Sequence, residues 1–353
     1  MKAALVAAGA LTLMGAAAVA FSADVRFILR GAYEESRILL HRRSLEALMA
    51  DSATPAGRRD QFALVLAARQ YAADSLKLAA EETYTTFTDV GRDTLLLVLT
   101  ASLRYEFVAY TWHYPIVGTV PYKGFFDVGG ARAEARRLEA DGYDVHLRTA
   151  PAFSTLGWFN DPLLSTALSD DPVLLASLVL HEIAHNTLYV PGATPFDESF
   201  ALFVGYRGAE AFFASRGDSV HAQRAAAIWR DQRRLGAFYR GLVDELEALY
   251  ALGLPLAEVL ERREVIFREA RARLRSGLDG KLEAYRGERL AEGTLNNASL
   301  LGQRIYRSQL ALFDSLLVLQ GGDLRRAVAT LTRAVEDRGE TPPFDVLAAL
   351  VEG

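Results

Sequence analysis

The segment HEIAHNTLYVPGATPFDES, residues 181–199, constrains this 353-residue chain more than any other stretch. His181 and His185 are four positions apart. On a helix that spacing sets the rings one turn apart, about 6 Å along the axis and about 40° in rotation, so both can reach one metal ion. Glu182 lies on the same half of the helix. This is the HExxH arrangement, in which two neutral imidazoles hold zinc and the glutamate stays unliganded, within reach of water on the open side of the ion. Two satisfied core histidines would account for the residue type but not for the spacing.

The flanks extend the argument. Asp171 and Pro172 read as the N-cap and first position of a helix, and Val173 to Leu180 contains no Gly, Pro or charge. The motif is therefore expected on a largely buried helix, among Leu174, Leu178, Val179, Ile183 and Ala184. Burying two histidines and a glutamate there costs on the order of several kcal/mol unless a metal or hydrogen bonds compensate. Pro191 and Gly192 break the helix, and Thr194, Pro195 and Asp197 predict the N-cap, first residue and capping-box acid of a second one. So short a connection brings Glu198, in the first turn of the second helix, back beside the end of the first. Glu198 is the candidate third zinc ligand; the alternative is a first-turn carboxylate that only faces the helix dipole. Ala201, Gly205 and Gly208 form a small-residue stripe for close helix approach, while Phe196, Phe200 and Phe203 point toward the core.

HEIAH followed by FDESFALFVGYRG resembles the bacterial predicted-aminopeptidase family, a gluzincin-type HExxH group predicted to be zinc peptidases. Further matching pieces are VGTVPYKGFFD (117–127), GYDV (142–145), AFSTLGWFNDPLLS (152–165), ALYALGLP with the following ERREVIF (248–267) and LNNASLLGQRIY (295–306). The likeness covers nearly the whole chain after residue 25. The family reads FNESFA where this chain has Asp197, and its members often carry a lipoprotein cysteine, which is absent here. The resemblance implies a zincin-like peptidase with one zinc ion and a peptide substrate. It also makes Asn296, Asn297 and Tyr306 candidates for the active-site wall, with amide capping and aromatic packing as the structural alternatives.

Composition narrows the rest. With 51% hydrophobic residues the chain can bury a large core, and a net charge of −5 gives no reason to expect nucleic acid as a partner. The absence of cysteine excludes disulfides, thiol catalysis and thiolate metal sites, leaving His, Asp and Glu as ligands. Residues 1–23, one Lys followed by an Ala-rich apolar run with Ala18 and Ala20 in A-x-A spacing, read as an export signal or an N-terminal anchor. The expected location is periplasmic or extracytoplasmic, with membrane association through that segment if it is retained. Residues 24–353 are expected to form one zincin-like domain: a sheet-containing part at about 90–165, zinc helices at 171–216 and a helical part at 218–353. The expected class is α+β, predominantly helical, with a small sheet ahead of the zinc helices.

Within that frame, helices are expected from Ala32 to about Leu78 with a break at Ala53–Gly57. TLLLVLTA (94–101) and YEFVAYTW (105–112) suggest a buried hairpin. A helix at about Gly130–Asp141 follows, then strands at 143–149 and 152–159. The last is the candidate edge strand for pairing with extended substrate, with an ordinary core strand as the equal alternative. Pro121 and Gly124 predict a loop whose Tyr122 and Lys123 either line the cleft or form a solvated turn. The Arg-rich stretches at 221–240 and 258–275 are interspersed with acids, including Asp231 and Glu258, and read as solvated helix faces. His41, His113, His146 and His221 have no partner at ligand spacing and read as structural.

The chemistry expected of such a site has Glu182 as general base and either Tyr306 or Tyr122 as oxyanion donor. Asp197 would orient a ligand histidine. An aminopeptidase also needs an acid for the substrate amine; Asp161, Asp127 and Glu106 are equal candidates. The alternatives are a zinc endopeptidase, or a non-catalytic peptide-binding or scaffolding protein that retains the fold.

Overall fold

The computed structural model describes residues 23–114, 118–150 and 162–352. Helix α1 (Ala23–Leu40) leads through the short strand β1 (Arg43–Ser44) into α2 (Leu45–Ala50) and α3 (Ala56–Asp74). Strands β2 (Thr86–Thr88), β3 (Leu96–Leu103), β4 (Trp112–Tyr114), β5 (Gly118–Val120) and β6 (Lys123–Phe125) follow. Helix α4 (Val128–Ala140), β7 (Tyr143–Ala150) and β8 (Leu163–Leu164) come next. The motif helices are α5 (Pro172–Thr187) and α6 (Thr194–Ser215). The chain ends in α7 (Ser219–Tyr250), α8 (Leu256–Arg275), α9 (Gly287–Glu292), α10 (Asn297–Tyr306), α11 (Leu310–Leu319), α12 (Leu324–Glu336) and α13 (Pro343–Glu352). The fold is α+β and predominantly helical. Among the described residues no helix is long and apolar enough to cross a membrane. The predicted export segment, the strand expected at 152–159 and Asp161 lie outside the described residues.

Two three-stranded sheets and a two-stranded one, β4–β5, are found among the described residues. In one three-stranded sheet, β2 lies between β1 (antiparallel) and β8 (parallel); in the other, β3 lies between β6 and β7, antiparallel to both. Strand β3 is buried on both faces along most of its length, as its continuous apolar run requires. Its full-length partner is β7, paired from Leu96↔Ala150 to Leu103↔Tyr143. The hairpin expected between 94–101 and 105–112 forms only at its turn end, through an antiparallel bridge between Ser102 and Ala109. The returning chain bonds β3 through Val108 and Tyr110, then leaves to build the β4–β5 hairpin. The reason is that the second edge of β3 is divided: that return occupies its end, while β6 covers Leu97–Leu99. The loop expected around Pro121 and Gly124 is confined to Pro121 and Tyr122; from Lys123 the chain is strand β6. Pro121 stands just before β6, where its missing N–H removes no ladder bond, and Gly124 sits opposite Val98.

The main core surrounds α5 and α6. Val173, Leu175, Ala176, Val179, Leu180, Ile183 and Ala184 of α5 are buried, whereas Leu174, expected inside, is 38% exposed. Helix α6 has two apolar faces of different size. On the small side, a Cβ at Gly205 would stand 2.8 Å from the Ser177 carbonyl oxygen and 3.3 Å from His181 Cβ. Only glycine allows that approach, one residue turn from the motif. On the large side, Phe196, Phe200 and Phe203 pack with Trp229, Phe313 and Phe344, the Phe203–Phe313 and Phe196–Phe344 ring centroids lying 5.4 and 5.3 Å apart. Each such buried ring contributes about 1.5–3 kcal/mol. Held from both sides, α6 carries Glu198 in a fixed position.

The Arg-rich helices depart from the solvated-face expectation at two points. Arg262–Glu258 and Arg230–Glu283 are surface pairs as expected. Asp231, however, is fully buried, and its carboxylate accepts the backbone N–H groups of Glu283, Ala284 and Tyr285 at 2.7–3.0 Å. Arg263 is 2% exposed, pairs with Asp144 at 2.5 Å and donates to the Arg104 carbonyl at 2.8 Å. Asp231 fastens the segment 283–285 within the helical part, and Arg263 ties that part to the sheet.

Candidate metal centre

Asp171 caps α5, its Oδ1 accepting from the N–H of Val173 at 3.0 Å and of Leu174 at 3.4 Å, and Pro172 starts the helix. The helix ends at Thr187, and the connection turns at Gly192, whose φ of +84° suits glycine. Helix α6 begins one residue earlier than the sequence suggests. Ala193 is its N-cap, Thr194 is already helical, and no side chain caps this end. Asp197 therefore does not close a capping box. Its Oδ1 reaches back to accept from the Val190 N–H at 2.9 Å, cinching the connection, and its buried Oδ2 has no hydrogen-bond partner. Burial pushes the Asp197 carboxyl up to about 6, against the pull of the Val190 N–H.

The hairpin brings His181, His185 and Glu198 together, one donor atom from each lying within 4.8 Å of the others. The two Nε2 atoms are 3.2 Å apart. Glu198 Oε2 is 3.5 Å from His181 Nε2, and its Oε1 is 3.9 Å from His185 Nε2. Donors bound about 2.0–2.2 Å from a tetrahedral ion stand roughly 3.3–3.6 Å apart, so this donor set fits a single zinc-sized cation with small adjustment. The electrostatics fit as well. Burial, reinforced by the neighbouring His181 ring, drives the His185 pKa down to about 4, so that ring presents a neutral lone pair. Burial also opposes the charged form of His181, but the hydrogen bond to Glu198 and the charge of Glu182 raise it overall. Burial works against the Glu198 anion, yet His181 holds its pKa below the ordinary carboxylate range. The mutual shifts of His181 and Glu198 show that this position favours positive charge, as a metal cation would supply.

Glu182 lies outside the three-donor set and acts electrostatically on His181 and on Tyr306. Tyr306, the last residue of α10, faces the same cleft. Burial and then the charge of Glu198 push its hydroxyl up, so it stays protonated at neutral pH. Asp197, expected to orient a ligand histidine, is committed to Val190; the His181 ring is held instead by the main chain at Ala201.

Other expected site residues are placed elsewhere. Tyr122 is 52% exposed ahead of β6, on the sheet edge opposite β7. Asn296 caps α10 in a reciprocal box with Ser299, and buried Asn297 bonds the Leu103 carbonyl and the Tyr250 hydroxyl; both hold α10 to the sheet rather than line the cleft. Asp127 caps α4, accepting from Gly130, and Glu106 lies exposed in the turn after β3. His221 pairs with Asp218, and His113 contacts Thr119 on the β4–β5 hairpin. One cleft residue escaped the sequence reading. Arg148 on β7 touches the Tyr306 hydroxyl and favours the Glu198 anion. The available signal was its place two and four residues along the strand from His146 and Asp144, on one face.

A predominantly helical α+β fold whose helical hairpin converges two imidazoles and a carboxylate, with another carboxylate alongside, defines a protein organised around a metal-competent centre. The chain belongs to the family described as "Putative aminopeptidase", whose model matches residues 26–340. Membership supports peptidase function with a peptide as substrate. No curated protein and no solved structure matches the chain.

Proposed function

We propose that this chain is an exported, zinc-dependent peptidase of the gluzincin type, acting as an aminopeptidase, with His181, His185 and Glu198 as the metal ligands. The observation that carries the reading is the convergence of those three donors within 4.8 Å on a hairpin otherwise packed with apolar side chains. When bound, zinc supplies Lewis acidity, lowering the pKa of a water to about 7 and polarising a carbonyl. Glu182, beside the ligands but outside their set, takes the proton of the attacking water and returns it to the departing amine nitrogen. The Tyr306 hydroxyl, held protonated by burial and by Glu198, donates a hydrogen bond to the carbonyl oxygen as negative charge grows there. Export rests on the apolar segment 1–23 with its A-x-A spacing.

Glu182→Gln tests the assignment. The variant should keep its metal and lose roughly two to four orders of magnitude in turnover on free-amine peptides. Wild-type rates in that variant would remove Glu182 from the chemistry. Equal cleavage of N-blocked peptides by the wild type would replace the aminopeptidase with an endopeptidase.

A further inference from the structure

Helix α10 lies along the face of β7 that carries Asp144, His146 and Arg148, leaving Arg148 exposed at the far end. At one end Asp144 Oδ2 accepts from the Asn297 N–H at 3.0 Å, and Asn296 Nδ2 donates to the Val145 carbonyl at 2.9 Å. From Asn297 to Tyr306 the helix advances nine residues, about 13.5 Å; from Asp144 to Arg148 the strand advances four, about 13 Å. Helix and strand therefore run together, and Arg148 meets Tyr306 at the far end, where the cleft opens. The two ends differ in chemistry. The Asp144 end is closed by the buried Arg263, whereas the Arg148 end is exposed. Some arginines are paired with carboxylates, as in Arg224–Asp171 and Arg230–Glu283; Arg148 is one of those that form no such pair among the described residues.

An exposed guanidinium beside Tyr306 and Glu198 has donors to spare. A guanidinium offers five N–H groups in a planar fork that matches a carboxylate, and contact with one hydroxyl uses a fraction of them. With a divalent cation balanced by Glu182 and Glu198, Arg148 leaves the cleft with net positive charge, which favours an anionic group on the substrate. Resting on the peptidase reading above, we infer that Arg148 is the residue through which this cleft takes a substrate carboxylate, either an acidic side chain next to the scissile bond or the free C-terminus of a short peptide. Arg148 is then a specificity-determining residue, and the preferred substrates are acidic or very short peptides.

The test compares matched peptides on the metal-replete full chain. Alanyl-glutamyl-alanine amide against its glutaminyl counterpart isolates the side-chain source; alanyl-alanine against alanyl-alanine amide isolates the C-terminal source. Hydrolysis is followed in the wild type and in Arg148→Ala, Arg148→Gln and Arg148→Lys. Binding of the same peptides is measured on Glu182→Gln, with and without the Arg148 changes. In at least one pair the wild type should favour the carboxylate roughly tenfold or more in kcat/KM and in binding. That ratio should fall to about one in Arg148→Ala and Arg148→Gln and survive in part in Arg148→Lys. The pair that shows the preference identifies the source. Hydrolysis with no carboxylate preference, or a preference unchanged by loss of Arg148, overturns the inference and leaves the peptidase reading standing. Equal losses on both members of each pair would make Arg148 a partner of Tyr306 only, and also overturn it. Hydrolysis of none of the peptides would overturn the peptidase reading and this inference with it.

Discussion

Two regions of the molecule bury ionisable groups, and they do so in opposite ways. Asp231 is enclosed with three backbone N–H donors, and Asp144 with the Arg263 guanidinium and the Asn297 N–H. There each carboxylate is met by donors from the protein itself. In the α5–α6 hairpin, two imidazole nitrogens point at each other across 3.2 Å, with Glu198 at 3.5 and 3.9 Å and a second carboxylate beside them. That cluster is rich in acceptors. The contrast separates burial that fastens a fold from burial that suits the proposed cation: the first is complete in itself, and the second would be completed by an added positive charge.

Four substitutions break or sharpen that contrast. The largest effect is expected from Glu198→Ala. It should abolish stoichiometric metal binding and lower peptide hydrolysis by about a thousandfold or more, while leaving the fold intact by circular dichroism. Retained metal would place the third ligand elsewhere. Next, Arg263→Ala strips the closed region of its cation and should cost about 3–5 kcal/mol in denaturant unfolding, with metal content per folded chain unchanged. A loss of metal without loss of stability would reverse the roles given to the two regions. Gly205→Ala should cost about 1–3 kcal/mol by pressing on the Ser177 carbonyl, and should weaken metal affinity because His181 lies against the same spot. The smallest change is expected from Asp171→Ala, which removes the α5 cap at about 1 kcal/mol and is read as a shift in thermal midpoint with the metal retained.

The hairpin was the most legible part of the chain. Residues four apart on one helix and a short connection to the next determine which side chains meet, so His181, His185 and Glu198 could be paired without long-range information. The small-residue and Phe stripes of α6 were readable for the same reason. Legibility failed where partners lie far apart in sequence. Asp231 and Arg263 look like ordinary surface charges until the segment 283–285 and Asp144 are folded onto them. Strand β6 was missed because three residues containing a glycine carry no periodicity; its strand character comes from β3. Asp197 was misassigned by a single residue of helix register, enough to turn a capping acid into a clasp on Val190. Arg148 follows Asp144 and His146 on one face of β7, and its position beside Tyr306 depends on how α10 lies along that strand.

The account rests on the hairpin holding a metal ion, and the most direct measurement is metal content per chain of the purified full-length protein, read by atomic emission beside Glu198→Ala. The prediction is one zinc per wild-type chain and a small fraction of that in the variant. A wild-type protein that takes up no metal after metal-replete preparation, or a variant that holds as much as the wild type, would contradict it.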